Sequence, residues 1–149
     1  MIRQVTEAGD ALWARLAGIH AASFEHGWGA DELRKMAATA HNRLYIVEDE
    51  VAVCFILLTV VAGEGEILTI ATAPDHRGQG HAGRLLAYVA ETLAVENVEA
   101  IFLEVAIDNA AAIAVYKRAG FASAGLRKGY YSRAGGAVVD ACILRLALG

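Results

Sequence analysis

Two periods of hydrophobic patterning alternate along the first half of the chain. Leu12, Leu16, Ile19 and Ser23 follow Asp10 at helical spacing, with Asp10 suited to cap the helix and Phe24 near its end. His26, Gly27, Trp28 and Gly29 interrupt this pattern as a loop, and a short helix over 31–38 turns Leu33 and Met36 inward. The period then drops to two. Residues 44–47 and 51–61 read as strands joined by Glu48, Asp49 and Glu50, a connection short enough for an antiparallel hairpin. Gly63, Glu64 and Gly65 make the next turn, and 66–73 is a third strand, stopped by Pro74, which cannot donate to a ladder.

In the second half Ala82, Leu85, Leu86, Val89, Ala90, Leu93 and Ala94 form an unbroken helical stripe. Residues 99–106 return to strand. Asp108 and Asn109 open another helix, which Gly120 can close in a left-handed cap. Extended structure resumes at Phe121, runs through Tyr131 and continues over 137–146, a long hairpin around 132–136. No linker or internal repeat divides the 149 residues, so a single domain over 1–149 is expected. The fold class is α/β in the broad sense (α+β), a mixed, mostly antiparallel sheet of about six or seven strands with helices on both faces.

Composition narrows the function. A hydrophobic fraction of 56% with one proline is more apolar surface than a disordered chain leaves in water. Lys plus Arg at 13 against Asp plus Glu at 17, with no dense run of either sign, supplies no basic face for nucleic acid. The longest apolar run, 51–62, is near half the ~20 residues of a membrane span. Residues 1–4 alternate polar with apolar and show no export pattern, so a cytoplasmic protein without a membrane partner is expected. Cys54 and Cys142 lie in apolar strand-like runs, and the five histidines (His20, His26, His41, His76, His81) form no helical i, i+4 pair, so neither a disulfide nor a metal site is expected.

Between the third strand and the striped helix stands Arg77-Gly78-Gln79-Gly80-His81-Ala82-Gly83. Small residues at a helix start expose unpaired backbone N–H groups where the helix dipole adds positive charge, a combination that binds phosphate. An ordinary strand-to-helix turn is the plainer reading. Gly78-x-Gly80-x-x-Gly83 also matches the dinucleotide fingerprint of an NAD(P)-dependent reductase, with Glu99 and Asp108 as acidic candidates. Against that stand the intervening residues 74–77, the antiparallel strands that come first, and too little chain afterwards for a doubly wound sheet.

Arg77-x-x-Gly80-x-Ala82 resembles the acetyl-CoA pyrophosphate loop of the GNAT (Gcn5-related N-acetyltransferase) superfamily. Residues 109–121, with Asn109, Tyr116, Gly120 and Phe121, are similar to that superfamily's Asn-x-x-x-x-x-x-Tyr-x-x-x-Gly-Phe segment. His20 to Phe24, Trp28, Phe102 to Val105 and Gly129 to Tyr131 extend the likeness to RimI-like ribosomal-protein N-terminal alanine acetyltransferases. The resemblance implies a GNAT fold and acetyl-CoA as cosubstrate, held by Ile70, Ala71 and Thr72, by Gly78, Gln79, Gly80, His81, Ala82 and Gly83 with Arg77, and by Asn109. It further implies Glu104 and Tyr116 as catalytic base and acid, and Trp28 and Tyr131 at the acceptor. In that family Pro commonly precedes the tryptophan; Gly27 here predicts a looser loop.

The residues carry their own case. Glu104 stands in the apolar run 100–106, where burial makes a carboxylate more basic; a strand-end charge or core ion pair is the alternative. Tyr116 has Ala112, Ala119 and Gly120 beside it at helical spacing, leaving room for a ligand, and is otherwise an amphipathic core tyrosine. Trp28 and Tyr131 read equally as aromatics closing a core, and Arg127-Lys128 as a solvated turn. Deprotonating an α-amino group at pH 7 costs roughly 1 kcal/mol against about 4.6 kcal/mol for lysine, which favours a terminal amine as nucleophile. The expected activity is transfer of acetyl from acetyl-CoA, in a ternary complex, to the N-terminal alanine of a ribosomal protein. Alternatives are a small amine acceptor such as a polyamine or aminoglycoside, or a non-catalytic acyl-CoA-binding module.

Overall fold

A computed structural model describes residues 1–132 and 135–149; Arg133 and Ala134, in the turn expected between the last two strands, lie outside the described residues. Seven strands form one sheet: β1 (Ile2–Val5), β2 (Asn42–Asp49), β3 (Val51–Val61), β4 (Glu64–Thr72), β5 (Ala100–Ala106), β6 (Ala122–Ser132) and β7 (Val138–Ala147). Their order is β1-β2-β3-β4-β5-β7-β6, antiparallel except for the β4–β5 pair. The alternation at the N-terminus is thus an edge strand, and the turn before β4 sits at Ala62 and Gly63, both with positive φ, rather than at 63–65.

Four helices cover the sheet: α1 (Asp10–Ala21), α2 (Ala30–Ala38), α3 (His81–Val95) and α4 (Ala110–Arg118). Asp10 is the first residue of α1, and Gly9 occupies the cap position with no side-chain cap bond, a correction to the expected Asp10 cap. Asn109 caps α4, its Oδ1 accepting the Ala112 N–H at 3.2 Å. The helices divide the core in two. Leu85, Leu86, Val89 and Leu93 of α3 pack with Val53, Ile101, Leu103 and Val105 on one face; Leu16 and Ile19 of α1 and Leu33 of α2 pack with Phe55, Leu57 and Ala71 on the other. Large side chains buried on both faces explain the apolar run of β3, whose residues 52–58 are all buried.

One irregularity shapes the centre of the sheet. β3 pairs Leu57 with Thr69 but Leu58 with Ile67, leaving Leu68 as an extra residue that bulges β4. On the other side, β4 and β5 pair only over Glu64–Ala100, Gly65–Ile101 and Glu66–Phe102. Beyond this the ladder stops, and the two strands diverge with their facing main-chain groups unpaired to each other. The result is a slot open toward the ends of β4 and β5.

Candidate active site

The helix α3 begins at the mouth of this slot. Gly80, its cap residue, is left-handed at φ 81°, a conformation that glycine reaches without the cost a Cβ would impose. The first helical bond runs from the Arg84 N–H to the Gly80 carbonyl at 3.0 Å, so the N–H groups of His81, Ala82 and Gly83 precede the ladder. A Cβ on Gly83 would meet nothing within 4 Å, leaving an open approach to the main chain. These features fit a diphosphate at the helix start and a pantetheine arm along the unpaired edge of β4, where Ile70, Ala71 and Thr72 lie.

The side chains around this loop are arranged differently from what the sequence suggests. Arg77 donates through Nε to the Thr72 carbonyl (3.2 Å) and through Nη2 to Ala22 O (3.3 Å) and Ser23 Oγ (3.1 Å), tying the end of α1 to the end of β4. A second cation, Arg84, stands beside the helix start; its Nη1 donates to Gln79 O at 3.1 Å and its Nη2 lies 2.6 Å from His81 Nδ1. Its place one turn after Gly80 was the available signal. The His81 ring is buried, with Nε2 3.2 Å from Gln79 Oε1; burial first, then the Arg84 charge, holds its pKa below the usual value.

Glu104 and Tyr116 stand on opposite faces of the sheet. Leu103 and Val105 enter the α3–α4 core, so strand alternation turns Glu104 to the face carrying α1 and α2. Its carboxylate is 20% exposed and pairs with Arg127 Nη2 at 3.1 Å. Arg127 is therefore no solvated turn residue. It belongs to β6, with its guanidinium 4.6 Å above the Tyr130 ring. Tyr116, on α4, packs edge-on against Phe121 with ring centroids 6.0 Å apart. Burial pushes its hydroxyl up to about 12, with Tyr131 and Cys54 adding to the effect. Tyr131, on β6, donates its hydroxyl to the Glu104 carbonyl at 3.3 Å. Cys54 accepts the Thr72 hydroxyl at 3.3 Å, so Tyr116, Tyr131, Thr72 and Cys54 gather around the slot.

Trp28 sits on the Glu104 side, partly buried against the α1–α2 core. Its loop is packed closely, a correction to the looser loop expected from Gly27: a Cβ on Gly27 would come 2.8 Å from Ala21 Cα. The dinucleotide reading fails on topology, because β4 pairs antiparallel with β3 and the sheet has a single parallel pair. Among the described residues no group of three or more His, Cys, Asp or Glu could hold a metal ion, and no helix is long and apolar enough to cross a membrane.

Residues 13–121 match the sequence model of the Acetyltransferase (GNAT) family. This chain belongs to that family. As a GNAT enzyme it is an acetyl-CoA-dependent N-acetyltransferase. It is 35% identical over 105 residues to the [ribosomal protein bS18]-alanine N-acetyltransferase of Salmonella typhimurium, covering 70% of each chain. To the enzyme of the same name from Escherichia coli it is 37% identical over 94 residues, 63% of each chain. In three dimensions it matches the crystal structure of the ribosomal-protein-S18-alanine N-acetyltransferase from Escherichia coli with a TM-score of 0.86, over 100% of this chain and 95% of that one, at 27% identity. A spermidine N-acetyltransferase chimera from Vibrio cholerae and hSSAT shares the fold, with a TM-score of 0.84 at 20% identity, over 99% of this chain and 95% of that one.

Proposed function

We propose that this GNAT enzyme acetylates the N-terminal amine of a protein beginning with alanine, a ribosomal protein in the cytoplasm. The observation that carries the reading is the placement of Glu104 and the Trp28 loop on one face of the sheet, with Tyr116 on the other. An acceptor entering on the first face meets a carboxylate that takes its proton, directly or through water. Tyr116, with its hydroxyl pushed up to about 12, keeps its proton at neutral pH and is able to hand it to the sulfur that departs. When bound, acetyl-CoA supplies an activated acyl carbon; Gly78 to Gly83 and the main chain of Ile70, Ala71 and Thr72 hold and orient it, with Asn109 beside the arm. An α-amino group suits this arrangement because its reference pKa, near 7.8, needs only a modest base. The names of the bS18-alanine relatives support the same acceptor.

Purified protein, acetyl-CoA and a panel of amines test the reading. Peptides beginning with Ala should be acetylated at the α-amine with the highest kcat/KM, above spermidine, an aminoglycoside and the same peptides blocked at the N-terminus. Preferential turnover of a polyamine or aminoglycoside would replace the acceptor assignment, and binding of CoA without turnover of any amine would remove the catalytic one.

A further inference from the structure

A buried histidine behind the Trp28 loop has no part in the chemistry above. His20, in the last turn of α1, is 3% exposed, and its ring and both its nitrogens are engaged. Phe24 and Trp28 stack on it at centroid distances of 4.4 and 4.8 Å, and Phe55 of β3 lies 6.3 Å away. Its Nδ1 accepts the main-chain N–H of Trp28 at 2.9 Å, and its Nε2 lies 3.2 Å from Thr69 Oγ1. A nitrogen that accepts an N–H carries a lone pair, which assigns the neutral Nε2–H tautomer with Thr69 as acceptor.

Thr69 directly follows the bulge residue Leu68, on the strand that forms one wall of the slot. One imidazole thus joins the slot wall to the loop bearing Trp28, and the close contact of Gly27 with Ala21 presses that loop onto the same turn of helix. We propose that His20 is a positioning residue for the acceptor: its neutral ring fixes the Trp28 loop against β4 and so sets the KM for the acceptor amine. This rests on the reading that Trp28 lines the acceptor site. Its consequence is a dependence on pH. The charged group acting on the ring is Glu32 of α2, while β3 and β4 present Phe55 and Thr69, and the loop presents Phe24 and Trp28. Burial outweighs Glu32 and keeps the imidazole pKa below 6.5. Protonating Nδ1 removes the lone pair that holds Trp28, so acid releases the loop.

Three variants separate the two hydrogen bonds. In His20→Asn the side-chain oxygen reaches the place of Nδ1, in His20→Gln the amide reaches the place of Nε2, and His20→Ala removes both. Loss of the Trp28 bond in the Ala and Gln variants should raise the acceptor KM roughly tenfold, with kcat and the acetyl-CoA KM unchanged and the Asn variant restored. In a Trp13→Phe background, where Trp28 is the sole tryptophan, its emission should move to longer wavelength as acid below pH 6.5 protonates His20 and releases the loop into water, and stay level when His20 is Asn. Wild-type acceptor KM in His20→Gln, or an acid shift of Trp28 emission that persists unchanged in His20→Asn, overturns the proposal. A Trp28→Ala variant with unaltered acceptor KM sinks the acceptor role of Trp28 and the proposal with it; a Trp28→Ala defect beside normal His20→Ala and His20→Gln kinetics removes His20 alone.

Discussion

Glu104 and Tyr116 stand on opposite faces of the sheet and have different neighbours. The Glu104 carboxylate is beside the Arg127 guanidinium, whereas Tyr116 is wedged against Phe121. A half-exposed arginine contributes at most about 1 kcal/mol to stability, so the Arg127 pair is better understood as orienting the carboxylate. If the two residues serve as base and acid, Tyr116→Phe should lower kcat by about 10²- to 10⁴-fold with the acetyl-CoA KM nearly kept. Glu104→Gln should lower turnover mainly below about pH 8, where the α-amine is still protonated and needs a base. Steady-state kinetics across pH check both, and wild-type-like profiles in the two variants would end the assignment. Tyr116 was legible because its motif spacing is local; the Arg127 partner was not, because a pair of basic residues in sequence says nothing about which strand will lie beside them.

At the scale of elements, the start of α3 shows a helix built against its own stability. Gly83, the third helical residue, has open space where a Cβ would stand, and alanine there would be favoured over glycine by about 0.5–1 kcal/mol. Gly83→Ala should therefore raise the urea midpoint while increasing the acetyl-CoA KM, since the added methyl covers the approach to the first-turn N–H groups. A stabilised variant with unchanged KM would show that the diphosphate lies elsewhere. Helix α4 illustrates the opposite case, with Asn109 capping its own helix through the Ala112 N–H, a role visible from its position before an alanine-rich helix. Strand β4 lies between these cases. Its existence follows from alternation and the proline stop, but the bulge at Leu68 depends on how β3 happens to register with it, and no local signal in residues 66–70 announces an extra residue.

For the molecule as a whole, burial raises the pKa values of two groups, Cys54 on β3 and Tyr116 on α4. Burial pushes the Cys54 thiol up to about 11 from 9.0 and Tyr116 up to about 12 from 10.0. The folded chain holds both protons more tightly than the unfolded chain, so this stability is complete below pH 9 and is lost as pH rises toward 12. Each raised pKa corresponds to at most about 3 kcal/mol. Urea midpoints measured from neutral to alkaline pH should fall over this window, and Tyr116→Phe should flatten the part above pH 10. Superimposable alkaline curves for the two proteins would mean that the Tyr116 hydroxyl is hydrated in the folded state.

Near-neighbour information was enough for most of the elements and for the glycine loop with its downstream Asn–Tyr–Gly–Phe segment. Helical and strand periods, a proline stop and glycines at a helix start act within a few residues, so the chain states them directly. Tertiary structure alone decided where β4 parts from β5, that Glu104 and Tyr116 approach from opposite faces, that Arg127 meets Glu104, and that His20 joins Trp28 to Thr69. Each of these depends on the register between strands and on helices crossing a twisted sheet, where partners as far as 49 positions apart are matched by packing of the whole core.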